Sequence, residues 1–264
     1  VIIDPRPGFG PGSPPGSDYY GLYVRGASYG GVGGNRYGDM ALGPPAYGDT
    51  EAPLYPGSAA YHRNATGGGL VWIEVTGAAV VNGEVRADGR WTSGTDGNGS
   101  GGAAFIQCQT FAATNAFFSA IGGDHCQHCG PGGGGRVAVV WAPAAQPEAA
   151  IVGLSADVRG GYSTASGRTG GPGTLFFSDW AWLPQPTLSG LWGRLQGITN
   201  LTVTALFVTN AHVRLAGEGV RLAVAGDLTI AANGHLEVGG ASEPSDKAVW
   251  SPYPFAADAV RVRT

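Results

Sequence analysis

Short apolar-x-apolar triplets return along this chain at a regular spacing, and that recurrence limits the folds open to it. Thr209-Asn210-Ala211-His212-Val213-Arg214-Leu215-Ala216-Gly217 reappears 23 residues later as Ala232-Asn233-Gly234-His235-Leu236-Glu237-Val238-Gly239-Gly240. Leu201 and Val203 match Leu222 and Val224 at an offset of 21, and Leu206 and Val208 match Leu228 and Ile230 at 22. Residues two apart on an extended chain point to the same face. A three-residue strand cannot bury that face alone, but it can when stacked on the equivalent strand of the next repeat. Three such strands per repeat of about 22 residues predict a parallel β-helix, or β-solenoid.

Upstream the pitch is longer. Gly68-Gly69-Leu70-Val71-Trp72-Ile73-Glu74-Val75 opens a unit that continues to Asn82-Gly83-Glu84-Val85-Arg86-Ala87-Asp88-Gly89. The next unit begins at Gly101-Gly102-Ala103-Ala104-Phe105-Ile106, so that Ile73 to Ile106 and Val85 to Phe118 are both 33 residues. A third copy runs from Gly133 to Asp157, and a fourth, half present, from Gly170 to Phe177. The extra residues fall in Thr92–Gly102, Gly122–Gly135 and Gly160–Gly173. Glycine there is expected to supply positive φ and to let neighbouring repeats approach closely. The expected fold class is all-β: a parallel β-helix with long Gly-rich loops and a Gly/Pro/Tyr-rich N-terminal wrap. Residues 1–66 are read as that wrap or cap, 67–194 as long-pitch repeats and 195–240 as compact ones, with 67–240 one continuous solenoid. Residues 241–264 are read as a C-terminal cap or inter-subunit segment, in which Ala259-Val260-Arg261-Val262-Arg263-Thr264 alternates like an edge strand.

Composition narrows the function classes. Glycine accounts for 48 of 264 residues without a strict three-residue period, which excludes collagen. Seven Trp, ten Tyr and nine Phe argue against a disordered low-complexity chain. The net charge is −4 and no basic run appears, so nucleic acid is not an expected partner. No apolar stretch is long enough to span a bilayer. The chain starts at Val1 without a signal-like segment and reads as a processed piece of a longer precursor.

The order of these pieces resembles the Gly-rich repeat modules of very large surface and extracellular-matrix proteins of bacteria and protists. The residues that carry the likeness are Gly8-Phe9-Gly10-Pro11-Gly12, Gly26-Ala27-Ser28-Tyr29-Gly30-Gly31-Val32-Gly33-Gly34, Tyr37-Gly38, Pro56-Gly57-Ser58, the Gly-Gly-Gly-apolar units, Gly132–Val140 and Gly171–Phe177. The resemblance covers roughly residues 7–240. It implies parts of adhesins, cell-wall layers or surface filaments. The chain departs from the pattern at Gln107–Gln109 and Gly122–Cys129.

Candidate chemistry concentrates in that departure. Cys126 and Cys129 form a C-x-x-C, and Cys108 lies one strand away. A disulfide is expected, between Cys126 and Cys129 or between Cys108 and either of them, with one thiol left over. The alternative is a metal site using His125, His128, Cys126 and Cys129, with Cys108 in reach, but it lacks the separated ligand pairs of structural zinc. Asn64, Asn98 and Asn200 open N-glycosylation sequons. Repeat alignment places Asp88, Ile121 and Asp157 on one level, read as a solvated corner rather than a glycosidase pair. His212 and His235 are read as stacked on a solvated corner. Trp72, Trp91, Trp141, Trp180, Trp182 and Trp192 are read as core or contact residues rather than a sugar platform.

The resulting expectation is a non-catalytic extracellular structural protein that self-associates or forms part of a larger multi-module chain, with covalent glycans. No cofactor, nucleic acid or membrane span is called for. A carbohydrate-binding adhesin module is the second reading, and a β-helix polysaccharide lyase or hydrolase the third.

Overall fold

The computed structural model describes residues 2–4, 25–35, 45–60, 65–91, 97–124, 129–147, 150–164, 168–180, 182–183, 187–217, 219–239 and 259–262. Strand β1 (Ile2–Asp4) precedes the repeats. The first repeat holds β2 (Leu70–Glu74), β3 (Ala78–Val81) and β4 (Glu84–Arg86). The second holds β5 (Ala103–Gln107), β6 (Thr110–Thr114) and β7 (Phe117–Ser119). Next come β8 (Arg136–Val140), a 3-10 turn (Pro143–Ala145), β9 (Ile151–Val152) and β10 (Ser155–Asp157). A small hairpin follows, β11 (Tyr162–Ser163) with β12 (Arg168–Thr169), and then β13 (Thr174–Phe177) and β14 (Thr187–Leu188). The compact repeats are β15 (Leu191–Gln196), β16 (Asn200–Val203) and β17 (Leu206–Val208), then β18 (Ala211–Ala216), β19 (Arg221–Val224) and β20 (Leu228–Ile230). The order ends with β21 (Gly234–Gly239) and β22 (Ala259–Val262). The described residues contain no α-helix. Among the described strands only β1–β2 and β11–β12 pair antiparallel; the other described pairs are parallel.

The registers equal the offsets legible in the sequence. Ile73 pairs with Ile106 and Val85 with Phe118. Leu201 pairs with Leu222, Leu206 with Leu228 and His212 with His235. One apolar row therefore runs through the main twelve-stranded sheet as Val71, Ala104, Val137, Leu175, Leu195, Leu215 and Val238. Its middle members are fully buried, while Val71 and Val238 at its ends are partly covered. Each step places like on like, so every repeat buries its neighbour's apolar face.

That sheet forks at β15. The N-terminal half of β15 pairs with β10, setting Asp157 beside Trp192. Its C-terminal half pairs with β13, setting Leu175 beside Leu195. In earlier repeats these two halves are separate strands, and a Gly-rich loop leaves and returns between them. The ends still meet: Gly102 N–H donates to Ala87 O, Gly135 N–H to Ala120 O and Gly173 N–H to Val158 O, each at 2.7 Å. The two pitches are thus one repeat with and without an excursion at the same point. Gly193 marks that point in β15, where a Cβ would overlap the Val158 side chain.

A second recurrent corner joins the three-stranded sheets β3–β6–β9 and β14–β17–β20 to the main sheet. Asn115, Asn210 and Asn233 take positive φ there (54°, 43° and 59°), as do Gly153 and Gly190. Asparagine and glycine are the residues that tolerate this left-handed conformation.

Candidate functional site

The most unusual part of the molecule is a layer built almost without side chains. Residues 25–35, 97–101, 122–123, 130–134, 160–161 and 170–172 lie outside the strands and hydrogen-bond to one another through their backbones. Gly133 N–H donates to Ala27 O at 2.9 Å, Gly31 to Gly134 O at 2.8 Å, Gly101 to Gly133 O at 2.9 Å and Gly161 to Gly132 O at 2.8 Å. A Cβ on Gly101 would overlap the Ala120 carbonyl oxygen, and one on Gly133 the Gly31 carbonyl oxygen. This corrects one expectation: none of these loop glycines has positive φ. Close backbone approach alone requires them.

Few side chains lie inside the layer: Ala27, Tyr29 and Val32 are buried apolar ones, and Ser28, Asn98 and Ser100 bond to the backbone. The Ser28 hydroxyl accepts from Gly33 N–H, and Ser100 accepts from Ser58 N–H, both at 2.8 Å. Asn98 is fully buried, and its Nδ2 donates to Gly123 O at 3.1 Å and Asp124 O at 3.3 Å. Of the three sequon asparagines, Asn98 is therefore inside the layer, Asn200 is exposed at the start of β16, and Asn64 lies outside the described residues.

Arginines fasten this layer to the main sheet. Arg136, Thr174, Arg194, Arg214 and Glu237 form one outward-facing row in register, and all are buried. Arg136 donates Nη2 to Tyr47 O at 2.6 Å and Nη1 to Thr174 Oγ1 at 2.9 Å, and its guanidinium lies 5.4 Å from the Tyr29 ring centre. Arg194 Nη2 donates to Gly30 O. Arg214 and Glu237 form a buried ion pair at 3.8 Å.

The neighbouring outward row is Arg86, Ser119, Asp157, Trp192, His212 and His235. Two expectations change here. His212 and His235 do stack, with ring centres 4.0 Å apart, but within strands and buried rather than on a solvated corner. Asp157 pairs with Ser119, whereas Asp88 holds Ile121 by a hydrogen bond from its N–H, so Asp88 and Asp157 are not on one level. The segment between β8 and β9, which holds the 3-10 turn, lengthens the step from 33 (Ala103 to Arg136) to 38 (Ala113 to Ile151), so Asp157 lies two residues off the 36-residue step from Ile121 and keeps its face. Asp157 bonds Arg159 at 3.0 Å, and Arg159 covers Trp192. Burial nevertheless pushes the Asp157 carboxyl up to about 6, against the opposing pull of Arg159 and with Asp88 and Asp124 adding to the rise.

Cys108 is a buried free thiol, so of the three candidates it stands apart from a disulfide, and burial pushes its thiol up. Cys129 is disulfide-bonded. Cys126, His125 and His128 lie outside the described residues, and the described residues alone assemble no group of three metal-ligating side chains. Trp141, Trp180 and Trp182 pack with Phe177 in the core, Trp72 lies against Phe105, and Trp91 is exposed. No helix among the described residues is long and apolar enough to cross a membrane. Compared with known proteins, the chain matches no protein-family model, no characterised protein and no solved structure.

Proposed function

We propose that this chain is a non-catalytic structural protein, a β-solenoid module that serves as a stiff scaffold in an extracellular filament, cell-wall layer or matrix. The observation that carries the reading is the unbroken in-register row from Val71 to Val238, repeated by the glycine layer along one side. Each repeat adds one strand spacing of about 4.8 Å and holds its neighbours through main-chain bonds, which resist bending and shear more than side-chain contacts do. The glycine layer thickens the stack with dense backbone and leaves few side chains for a protease to grip.

A disulfide at Cys129 and an exposed sequon at Asn200 favour an oxidising, extracellular setting with attached glycan. Two observations favour this reading over its rivals: Trp141, Trp180 and Trp182 pack with the core, and Asp88 and Asp157 each hold structural partners, Asp88 accepting from Ser119 and Ile121 and Asp157 pairing with Arg159. Gold-labelled antibody to this chain, imaged on native material, tests the proposal. Label along filaments or layers supports it; label confined to a soluble monomeric fraction overturns it.

A further inference from the structure

β1 and β22 lie at opposite ends of the main sheet. Among the described residues β1 pairs only with β2, and β22 only with β21, so each has one main-chain edge without a described partner strand. Such an edge presents a row of N–H and C=O groups that another strand can complete. The core is thinly covered at the same two ends. Val85 in the first repeat is partly exposed although its neighbour Phe118 is fully buried, and Ile230 in the last is partly exposed although its neighbour Val208 is fully buried.

The registers make the two ends complementary. The row that holds Arg136, Thr174, Arg194, Arg214 and Glu237 begins at Asp4, through Leu70 and Ala103, and ends at Arg261. The apolar row beside it begins at Ile3 and ends at Val262. Carried on by one more strand step, the basic end of the first row meets the acidic start of the same row in another copy, and Val262 meets Ile3.

We infer that copies of this chain join head to tail, β22 of one pairing with β1 of the next, with Arg261 in register with the next copy's Asp4 and Val262 with its Ile3. β1 runs against the other strands of the sheet, so this pair is antiparallel when both copies point the same way. An acidic position beside a basic one on neighbouring strands favours that register, whereas stacking like ends sets acid near acid or base near base. The contact joins two different surfaces, so its repetition gives an open filament rather than a closed dimer. The inference rests on the scaffold reading and deepens it by naming the contact that lengthens the scaffold.

Charge reversal at each end tests this on the full chain, by sedimentation velocity and negative-stain microscopy. Strands of three and four residues make a weak joint, so the series reaches about 1 mM at low salt, where charge pairing is least screened. The wild type is expected to form rods that lengthen with concentration. Asp4→Arg alone and Arg261→Asp alone should each lower association about tenfold, because like charges then meet at every joint. An equimolar mixture of the two variants should recover it, since the ends of each complement those of the other, and so should the double variant. Recovery on mixing separates a joint between copies from a folding defect, and unchanged circular dichroism verifies each variant. A wild type that stays monomeric throughout overturns the inference. So does association that survives both reversals, or that is lost and fails to return on mixing. These outcomes leave the scaffold reading standing, because a scaffold can also lengthen within one longer chain; that reading fails when label on native material is confined to a soluble monomeric fraction.

Discussion

Gly101 packs against Ala120 so closely that the carbonyl oxygen of Ala120 occupies the space a Cβ on Gly101 would need. The contact is main chain on main chain, so neither partner can swing away as a side-chain end would.

Glycines of this kind should be separable by substitution from those in open space. Gly101→Ala is expected to destabilise by about 3 kcal/mol or more, because backbone must move. Gly83→Ala has no neighbour within 4 Å and no positive φ. It should lie within about 1 kcal/mol of the wild type, on the stabilising side, by restricting the unfolded chain. Urea titration of the two variants checks the contrast.

Arg136 ties the segment around Tyr47 to the main sheet through charge-assisted bonds to a backbone carbonyl. Arg136→Ala leaves the Tyr47 carbonyl without that donor and should cost about 2–4 kcal/mol. Hydrogen exchange should rise first in residues 45–60 and 25–35, while β5, β8 and β13 stay protected. Uniform acceleration over the whole chain would contradict the clamp.

Asp157 predicts a direction for pH dependence. Its folded-state value, raised from 3.8 to about 6, means the native state binds the proton more tightly than the unfolded chain does. Its contribution to stability is therefore fully present below about pH 3.8 and is lost as pH rises through about 6, by on the order of 2–3 kcal/mol. Asp157→Asn should flatten this part of the profile. Melting curves of both proteins between pH 4 and 7.5 read the difference.

Cys108 and Cys129 should differ in labelling. A thiol reagent should leave Cys108 untouched in the native protein, since it is 7% exposed and its thiol is pushed up, and should label it on unfolding without reductant. Cys129 should react only after reduction. Mass spectrometry of digested samples assigns each site.

The strand registers were legible because apolar residues recur on the side that stacking buries, as at Leu206/Leu228 and Val85/Phe118. Loop lengths were harder. The 38-residue step from Phe117 to Ser155 places Asp157 beside Ser119, and a two-residue miscount leaves inward and outward faces unchanged, so periodicity could not expose it. The outward rows were not legible either. His212 and His235 read as residues of a solvated corner until the strands that bury them are in place. The glycine layer was visible as composition, but its cause, backbone contact without positive φ, depends on which loops become neighbours.

Deletion of one whole repeat tests the central claim most directly. Removing Ala211–Asn233 joins Asn210 to Gly234 and brings Trp192 beside His235 in place of His212, since Ala211 and Gly234 occupy the same register. Removing only Ala211–Leu222 breaks that register. Thermal unfolding followed by circular dichroism should show a cooperative β-sheet transition for the whole-repeat deletion, within several degrees of the full chain, and none for the half-repeat deletion. Equal collapse of both variants would contradict a stack of nearest-neighbour repeats.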